Sequence, residues 1–221
     1  MIREVGPRDG FQNEPEVIAT EVKIDLINQL ARTGIARMEL TSFVRADVIP
    51  QLADAREVLT GVDIPAGVSR SVLIPNERGL DNALELRERF DEVSVFLSAS
   101  ESHNRANVNR SVEQSLTGLE RVVSRAREAG LRVEAVIATA FGCPYEGHVD
   151  PARVVEIARQ LVGFGADEIA FGDTTGMANP VQVRRFFSEL ELGAELTAHF
   201  HNTRGQGLAN VFAAWEAGVR S

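Results

Sequence analysis

The segment LTAHFHNTRGQGLAN, residues 196–210, places two histidines two positions apart at the end of an apolar run. Side chains alternate across a β-strand, so His199 and His201 face one side while Phe200 points away toward packing. Two imidazoles on one side of a strand end suit a divalent metal, and Asp9 could add a hard oxygen ligand. The alternative is a polar cap in which each histidine only forms hydrogen bonds. The acidic residues that end other strands favour the metal site.

A second chemically suggestive stretch is VGPRDGFQNEP, residues 5–15, in which Pro7 and Gly10 bracket Arg8 and Asp9. Neighbours on a regular strand point to opposite sides, so both side chains can enter one site only if the strand ends there. A guanidinium can then hold an enolate oxygen while the adjacent carboxylate holds a metal. A surface turn with an Arg–Asp pair is the alternative.

The elements that must position these residues alternate between short β-branched runs and longer amphipathic runs, and Asp150 followed by Pro151 is typical of a helix start. Parallel strands need a crossover helix between them, so the alternation predicts an α/β protein. We predict seven strands, at residues 1–6, 36–41, 67–74, 92–99, 132–140, 168–173 and 196–201.

The spacing of the units, roughly 30 residues each, is that of a (β/α)8 barrel, which typically needs ~250 residues. A doubly wound sheet also fits the alternation. The polar residues favour the barrel, because they fall at or near the carboxyl ends of different strands, which converge on one face in a barrel. These residues are Arg8, Asp9, Glu39, Asp173, His199 and His201. We expect residues 1–221 to form a single TIM-barrel catalytic domain.

The composition narrows the class of protein. With 221 residues, of which 44% are hydrophobic and 25% charged, the chain is ordinary for one globular domain. A formal net charge of −9 argues against a nucleic-acid partner, because neutralising phosphates needs a basic face. Neither a signal peptide nor an 18-residue apolar stretch occurs, so no membrane partner is expected. The single cysteine, Cys143, excludes an intrachain disulfide, and a cytoplasmic location is the default expectation.

With these residues in view, the chain resembles the HMG-CoA lyase family of metal-dependent acyl-CoA lyases. The resemblance is carried from end to end by VGPRDGFQNEP (5–15), ELTSFV (39–44), FGCPYEG (141–147), FGDTTGMANP (171–180) and HFHNTRGQGLAN (199–210). It implies a (β/α)8 fold and a bound Mg²⁺ or Mn²⁺, with Zn²⁺ left open by the two imidazoles. It also implies cleavage of a 3-hydroxy-3-methylglutaryl-type thioester to acetyl-CoA and a keto acid, by a homodimer.

The resemblance assigns roles to individual positions. Asp9, His199 and His201 would be the metal ligands, as the residues alone had indicated, and Arg8 would stabilise the enolate oxygen. Glu39 would lie near the metal. Gln12, Asp173 and Thr174 would line the substrate pocket. The implied catalytic residues are therefore Arg8, Glu39, Asp173 and His199, and the implied substrate-binding residues are Arg8, Gln12 and Thr174.

The chain departs from the family at several points. Asn202 stands where many of these lyases have Asp, and Arg204 stands where a tyrosine is common. The family's catalytic cysteine and its asparagine metal ligand lie beyond EAGVRS, so we expect the chain to be part of a longer one whose eighth strand is only begun. Cys143 is expected to be a buried structural residue, and His103 a loop residue without a catalytic role.

Three functions remain open at this point. The first is an acyl-CoA carbon–carbon lyase, acting on 3-hydroxy-3-methylglutaryl-CoA or on a related thioester such as citramalyl-CoA. The second is a condensing synthase or aldolase on the same metal frame, and the third is a non-catalytic metal-binding fragment. FGCPYEG and HFHNTRG favour the lyase.

Overall fold

The computed structural model describes all residues from Met1 to Ser221. Its strands are β1 Arg3–Glu4, β2 Arg37–Ser42, β3 Ser69–Leu73, β4 Glu92–Ser98, β5 Arg132–Ala138, β6 Glu168–Asp173 and β7 Glu195–Phe200. Its α-helices are α1 Thr20–Leu30, α2 Ala55–Gly61, α3 Glu77–Leu84, α4 Glu101–Val108, α5 Val112–Glu128, α6 Pro151–Gly163, α7 Pro180–Ser188 and α8 Gly207–Glu216. At least one helix follows every strand, as predicted. None of these helices is long and apolar enough to cross a membrane.

The strands form one hydrogen-bonded sheet in the order β1-β2-β3-β4-β5-β6-β7. The pairs with a described register are all parallel. Every residue of β2 and of β6 is buried, which is typical of parallel strands that are covered on both faces. The predicted α/β alternation is therefore confirmed.

By Cα proximity the chain divides into two compact units. The first unit, residues 1–95 and 128–132, holds β1 to β3 and the first part of β4. Its core is mainly aliphatic and includes Ile27, Met38, Leu59 and Val72, all essentially inaccessible. The β2–β3 register shifts between Glu39 and Thr41, so Leu40 is an extra residue that forms a bulge in β2.

The second unit, residues 96–127 and 133–221, holds the end of β4, nearly all of β5, and β6 and β7. An aromatic cluster packs between its strands and α7. Its ring centroids are 5.1 Å to 6.0 Å apart, typical of tilted and edge-to-face pairs. Its members are Phe141, Phe171, Phe186, Phe187 and Phe200. After α8, the carbonyl of Ser221 accepts a hydrogen bond of 3.0 Å from the amide of Ala198 in β7.

The element boundaries differ from the prediction where local backbone geometry intervenes. β1 is shorter than residues 1–6, because a wide π-type turn begins at Gly6. β5 stops at Ala138, because Thr139 has a φ of +55°. The predicted start of α6 is confirmed, since the Asp150 carboxylate accepts from the Ala152 amide at 2.9 Å.

Candidate metal centre and active site

Arg8, Asp9 and Glu39 form a charged cluster in the first unit. The Arg8 Nε donates to Glu39 Oε2 at 2.6 Å, and Arg8 Nη1 lies 3.1 Å from Asp9 Oδ1. The Arg8 and Glu39 side chains are only 14% and 3% exposed, so water screens the pair weakly. One guanidinium thus bridges two carboxylates, which fixes the orientation of Asp9.

The Arg8 cluster depends on the π-type turn Gly6–Gly10. The Asp9 amide donates to the carbonyl of Val5 at 2.7 Å, and the Gly6 amide donates to Glu4 Oε1 at 2.6 Å. A Cβ at Gly6 would lie 2.8 Å from that same oxygen, so a side chain there would displace the Glu4 carboxylate. β1 therefore ends before Arg8. This end is required, as expected from the sequence, for the side chains of Arg8 and Asp9 to enter one site.

Glu39 lies within β2 rather than at its end, three residues before Ser42. The adjacent bulge at Leu40 breaks the regular alternation of β2 immediately after Glu39. Bulges of this kind re-aim side chains near active sites. The Glu39 carboxylate is buried against Arg8.

His199 and His201 form the histidine pair of the second unit, at the end of β7. Their rings stack with centroids 4.9 Å apart and an interplanar angle of 26°. Phe200, between them, packs on Phe141 with ring centroids 5.6 Å apart. The predicted alternation is confirmed. Two parallel imidazoles this close can offer ring nitrogens to one cation.

Asp173, the last residue of β6, is buried with 1% exposure. Its Oδ1 accepts from the amides of Met177 at 2.7 Å and Ala178 at 3.0 Å. Its Oδ2 is buried without a hydrogen-bond partner in the chain. Burial raises the pKa of Asp173, against the opposing effects of these two amides and the charges of His201 and Arg204. The arrangement leaves a buried acceptor available for a ligand.

The two remaining pocket candidates lie in different settings. The Thr174 Oγ1 accepts a 3.0 Å hydrogen bond from the Thr139 amide, so this hydroxyl anchors the end of β5 to the end of β6. Thr139 itself has a left-handed φ of +55°, unusual for a β-branched residue and invisible to sequence patterns. Gln12 is half-buried just after the π-type turn.

Cys143 lies in a turn closed by two backbone hydrogen bonds with Gly147. The thiol is fully buried, 2.9 Å from Ser100 Oγ, and it accepts from the Tyr145 amide at 3.3 Å. Nearby, His103 lies in the first turn of α4 and not in the predicted loop. Its Nδ1 lies 2.6 Å from Ser98 Oγ, a partner the sequence did not reveal, and burial lowers the pKa of His103. These contacts fit the structural role expected for Cys143.

A family model described as HMGL-like matches residues 1–221. The chain belongs to the HMGL-like family. It is 48% identical to the hydroxymethylglutaryl-CoA lyase YngG of Bacillus subtilis over 221 residues, which are 99% of this chain and 73% of that protein. It is 41% identical to the human protein named 3-hydroxy-3-methylglutaryl-CoA lyase, cytoplasmic, across 99% of this chain and 59% of that one.

Solved structures of HMGL-like proteins match as well. The crystal structure of the Bacillus subtilis HMG-CoA lyase matches 98% of this chain and 73% of that one, with a TM-score of 0.95. An Acinetobacter baumannii HMG-CoA lyase in complex with coenzyme A and 3-methylmalate matches with a TM-score of 0.92 and 43% identity, over 99% of this chain and 72% of that one. These matches confirm the predicted fold class, seven strand–helix units of a TIM barrel.

The chain spans between 59% and 73% of the length of the curated lyases compared above. The carboxyl transferase domain of Rhizobium etli pyruvate carboxylase also matches, with a TM-score of 0.72 at 22% identity. That likeness shows a shared fold only.

Proposed function

We propose that this chain carries the activity of a divalent-metal-dependent carbon–carbon lyase. Its substrate would be a 3-hydroxy-3-methylglutaryl-CoA-type thioester, cleaved to acetyl-CoA and a keto acid, which is acetoacetate for HMG-CoA. The observation that carries the proposal is the stacked pair of His199 and His201 in an HMGL-like chain. The name of the Bacillus subtilis relative and the coenzyme A complex of the Acinetobacter baumannii lyase support the choice of substrate.

The proposed metal ligands are Asp9, His199 and His201. Each offers one ligand atom, a carboxylate oxygen or an imidazole nitrogen. Mg²⁺ or Mn²⁺ suits the oxygen donors of Asp9 and of the substrate, and Zn²⁺ would be favoured only if the imidazoles dominate. When bound, the cation would polarise the hydroxyl and carboxylate oxygens of the substrate and so favour the alkoxide that carbon–carbon cleavage requires.

Arg8 is the residue proposed to meet the developing charge of the enolate. A guanidinium that is already oriented by Glu39 and Asp9 needs little rearrangement as that charge forms, which is the source of electrostatic catalysis. Glu39, which the resemblance includes among the catalytic residues, is proposed to act through Arg8 as a positioning residue. His199 is proposed as a ligand that also contacts the reacting hydroxyl.

Asp173, Thr174 and Gln12 are proposed to line the substrate pocket. The buried Asp173 Oδ2 is an acceptor that a substrate hydroxyl could satisfy. Burial raises the pKa of Asp173, and two backbone amides hold its other oxygen in place. Thr174 holds the neighbouring strand end in place, and Gln12 follows the Arg8 turn.

Metal binding is the first test of the proposal. Titration with Mn²⁺, followed by calorimetry or by the loss of the free-ion paramagnetic resonance signal, should detect one site. Asp9→Ala and His199→Ala should each raise the Kd at least about tenfold, since even supporting residues of metal sites have effects of that size. Asp47→Ala, at an exposed aspartate paired with Arg45, is the matched control and should leave the Kd unchanged. Equal Kd values for all four proteins would exclude these ligands.

Activity is the second test. Incubation with HMG-CoA and Mg²⁺ should release acetyl-CoA and acetoacetate in equal amounts. Release from citramalyl-CoA alone would assign the chain to a related lyase. Synthesis of a thioester from acetyl-CoA and a keto acid would assign a condensing enzyme. Metal binding without any turnover, in a chain that also includes the catalytic cysteine implied by the resemblance, would indicate a non-catalytic metal-binding protein.

Three broader expectations accompany the proposed activity. We infer that residues 1–221 belong to one catalytic domain, that the enzyme is a homodimer, and that it works in the cytoplasm without nucleic-acid or membrane partners. Light scattering would test the dimer directly. A mass of one chain at micromolar concentration would contradict it.

A further inference from the structure

Arg204 lies on a tight turn that follows the two histidines of β7. The Gly205 amide donates to the Asn202 carbonyl at 3.0 Å, which makes Thr203 and Arg204 the two central residues of the turn. Gly205 has a φ of +72°, a left-handed conformation that glycine adopts without strain. The backbone beneath Arg204 is therefore well defined.

The turn is held from two sides. The Asn202 Oδ1 accepts a 2.9 Å hydrogen bond from the amide of Gly207, the first residue of α8. On the other side Thr203 packs against Gly176, where an added Cβ would lie only 2.7 Å from the Thr203 Cβ. Because the turn is already held, a ligand that binds Arg204 need not order its backbone.

The guanidinium of Arg204 has no direct contact partner within the chain. Arg204 is exposed and forms no hydrogen bond or ion pair, whereas Arg127 and Arg184 of the same unit pair with Asp167 and Glu216. Its charge nevertheless acts on the end of β6, because it opposes the effect of burial on the pKa of Asp173. An unpaired cation therefore stands within electrostatic range of Asp173.

We propose that Arg204 binds the free carboxylate of the acyl group, which has a second oxygen for the cation, and so selects hydroxyacyl thioesters that carry a second acid group. This inference rests on the proposed function and names the substrate class of that site. A guanidinium binds a carboxylate through two parallel hydrogen bonds, which combines charge with directionality. Arg204 follows His201 by three residues, which places it with the groups that would hold the reacting end of the substrate.

The phosphates of coenzyme A are a second anionic source that a guanidinium can bind. The two sources are separated by a pair of thioesters, 3-methylglutaryl-CoA and isovaleryl-CoA. Both lack the 3-hydroxyl, so neither can be cleaved, and they differ only by the terminal carboxylate. Their coenzyme A portions are identical.

The test measures the Kd of both thioesters by calorimetry with the full chain loaded with Mn²⁺. Arg204→Gln should weaken 3-methylglutaryl-CoA about tenfold, the scale of one charge-assisted contact, and leave isovaleryl-CoA unchanged. Arg204→Lys should recover part of the loss, because lysine keeps the charge without the planar fork. Arg159→Gln, at an exposed arginine of α6 in the same unit, should change neither Kd.

Each contrary result has its own meaning. Equal weakening of both thioesters by Arg204→Gln would overturn the proposal and place the guanidinium on the coenzyme A phosphates. No change with either thioester would remove Arg204 from ligand binding altogether. If the unmodified chain binds neither thioester, the proposed function is overturned, and this inference with it.

Discussion

The Arg8 turn of the first unit and the ends of β6 and β7 in the second unit differ in whether their charged groups have partners within the chain. At the turn, Arg8 lies between Glu39 and Asp9, so each carboxylate has the same cationic partner and one negative charge is left over. At the end of β6, one oxygen of Asp173 is buried without a partner, and at the turn after β7 Arg204 is exposed without one. The first region is organised before a ligand arrives, whereas the second keeps groups that a ligand could satisfy.

This difference indicates a division of labour. A residue that must stabilise a transient charge works best when it is already oriented, as Arg8 is. Residues that distinguish one substrate from another must instead gain their hydrogen bonds from the substrate itself, because an unsatisfied polar group rejects a ligand that cannot pair with it. The buried, unpartnered oxygen of Asp173 meets that condition, and the exposed Arg204 offers a charge that a ligand could pair with.

Removing Glu39 should have the largest effect on stability. Glu39→Ala leaves the Arg8 guanidinium without its nearest buried carboxylate, and breaking such a pair costs about 4 kcal/mol. Urea unfolding measures this loss. Asp63→Ala breaks the exposed pair with Arg32, whose side chains are 81% and 51% exposed, and should cost about 0.5 kcal/mol or less. Similar losses in the two variants would show that the Arg8 cluster is not prearranged by charge.

Gly176→Ala should have the next largest effect, in the second region. Gly176 has a φ of +65°, and its new Cβ would lie 2.7 Å from the Thr203 Cβ, so conformational strain and overlap add to about 3 kcal/mol. Gly205→Ala is the matched control, because its φ is +72° but no atom lies within 4 Å of the Cβ. It should cost only about 1 kcal/mol. Equal midpoints in urea for the two variants would mean that Thr203 gives way and the turn is not held.

The sequence predicted the strand–helix order, the pairing of His199 with His201 and the end of β1 before Arg8, because hydrophobic period, turn residues and side-chain alternation are local properties. The bulge at Leu40 and the left-handed Thr139 could not be predicted in this way. Both depend on partners distant in the chain, since β2 shifts its register against β3 and Thr139 bonds to Thr174. The unpartnered oxygen of Asp173 likewise depends on burial, which only the packed structure defines.

The smallest expected effect concerns pH and Asp173. Burial raises the pKa of this carboxyl above its value in the unfolded chain, so between those two values the folded chain binds more protons. The free energy of unfolding should therefore fall as the pH rises through that window. Asp173→Asn removes the titration and keeps an oxygen that can accept from Met177 and Ala178, so it should be slightly more stable than the unmodified chain at pH 7. The difference should disappear below both pKa values.

Asp91→Asn should show the opposite dependence of the free energy of unfolding on pH. The hydrogen-bonded ion pair with Arg70 lowers the pKa of Asp91, so its contribution to stability is present at pH 7 and is lost as the pH falls through the lowered pKa. The urea midpoints of Asp173→Asn, Asp91→Asn and the unmodified chain, measured from pH 7 to pH 3, give the difference in stability between each variant and the unmodified chain. If Asp173→Asn is the less stable protein at pH 7, the carboxylate is satisfied in solution. In that case the end of β6 would be as prearranged as the Arg8 turn, and the contrast between the two regions would fail.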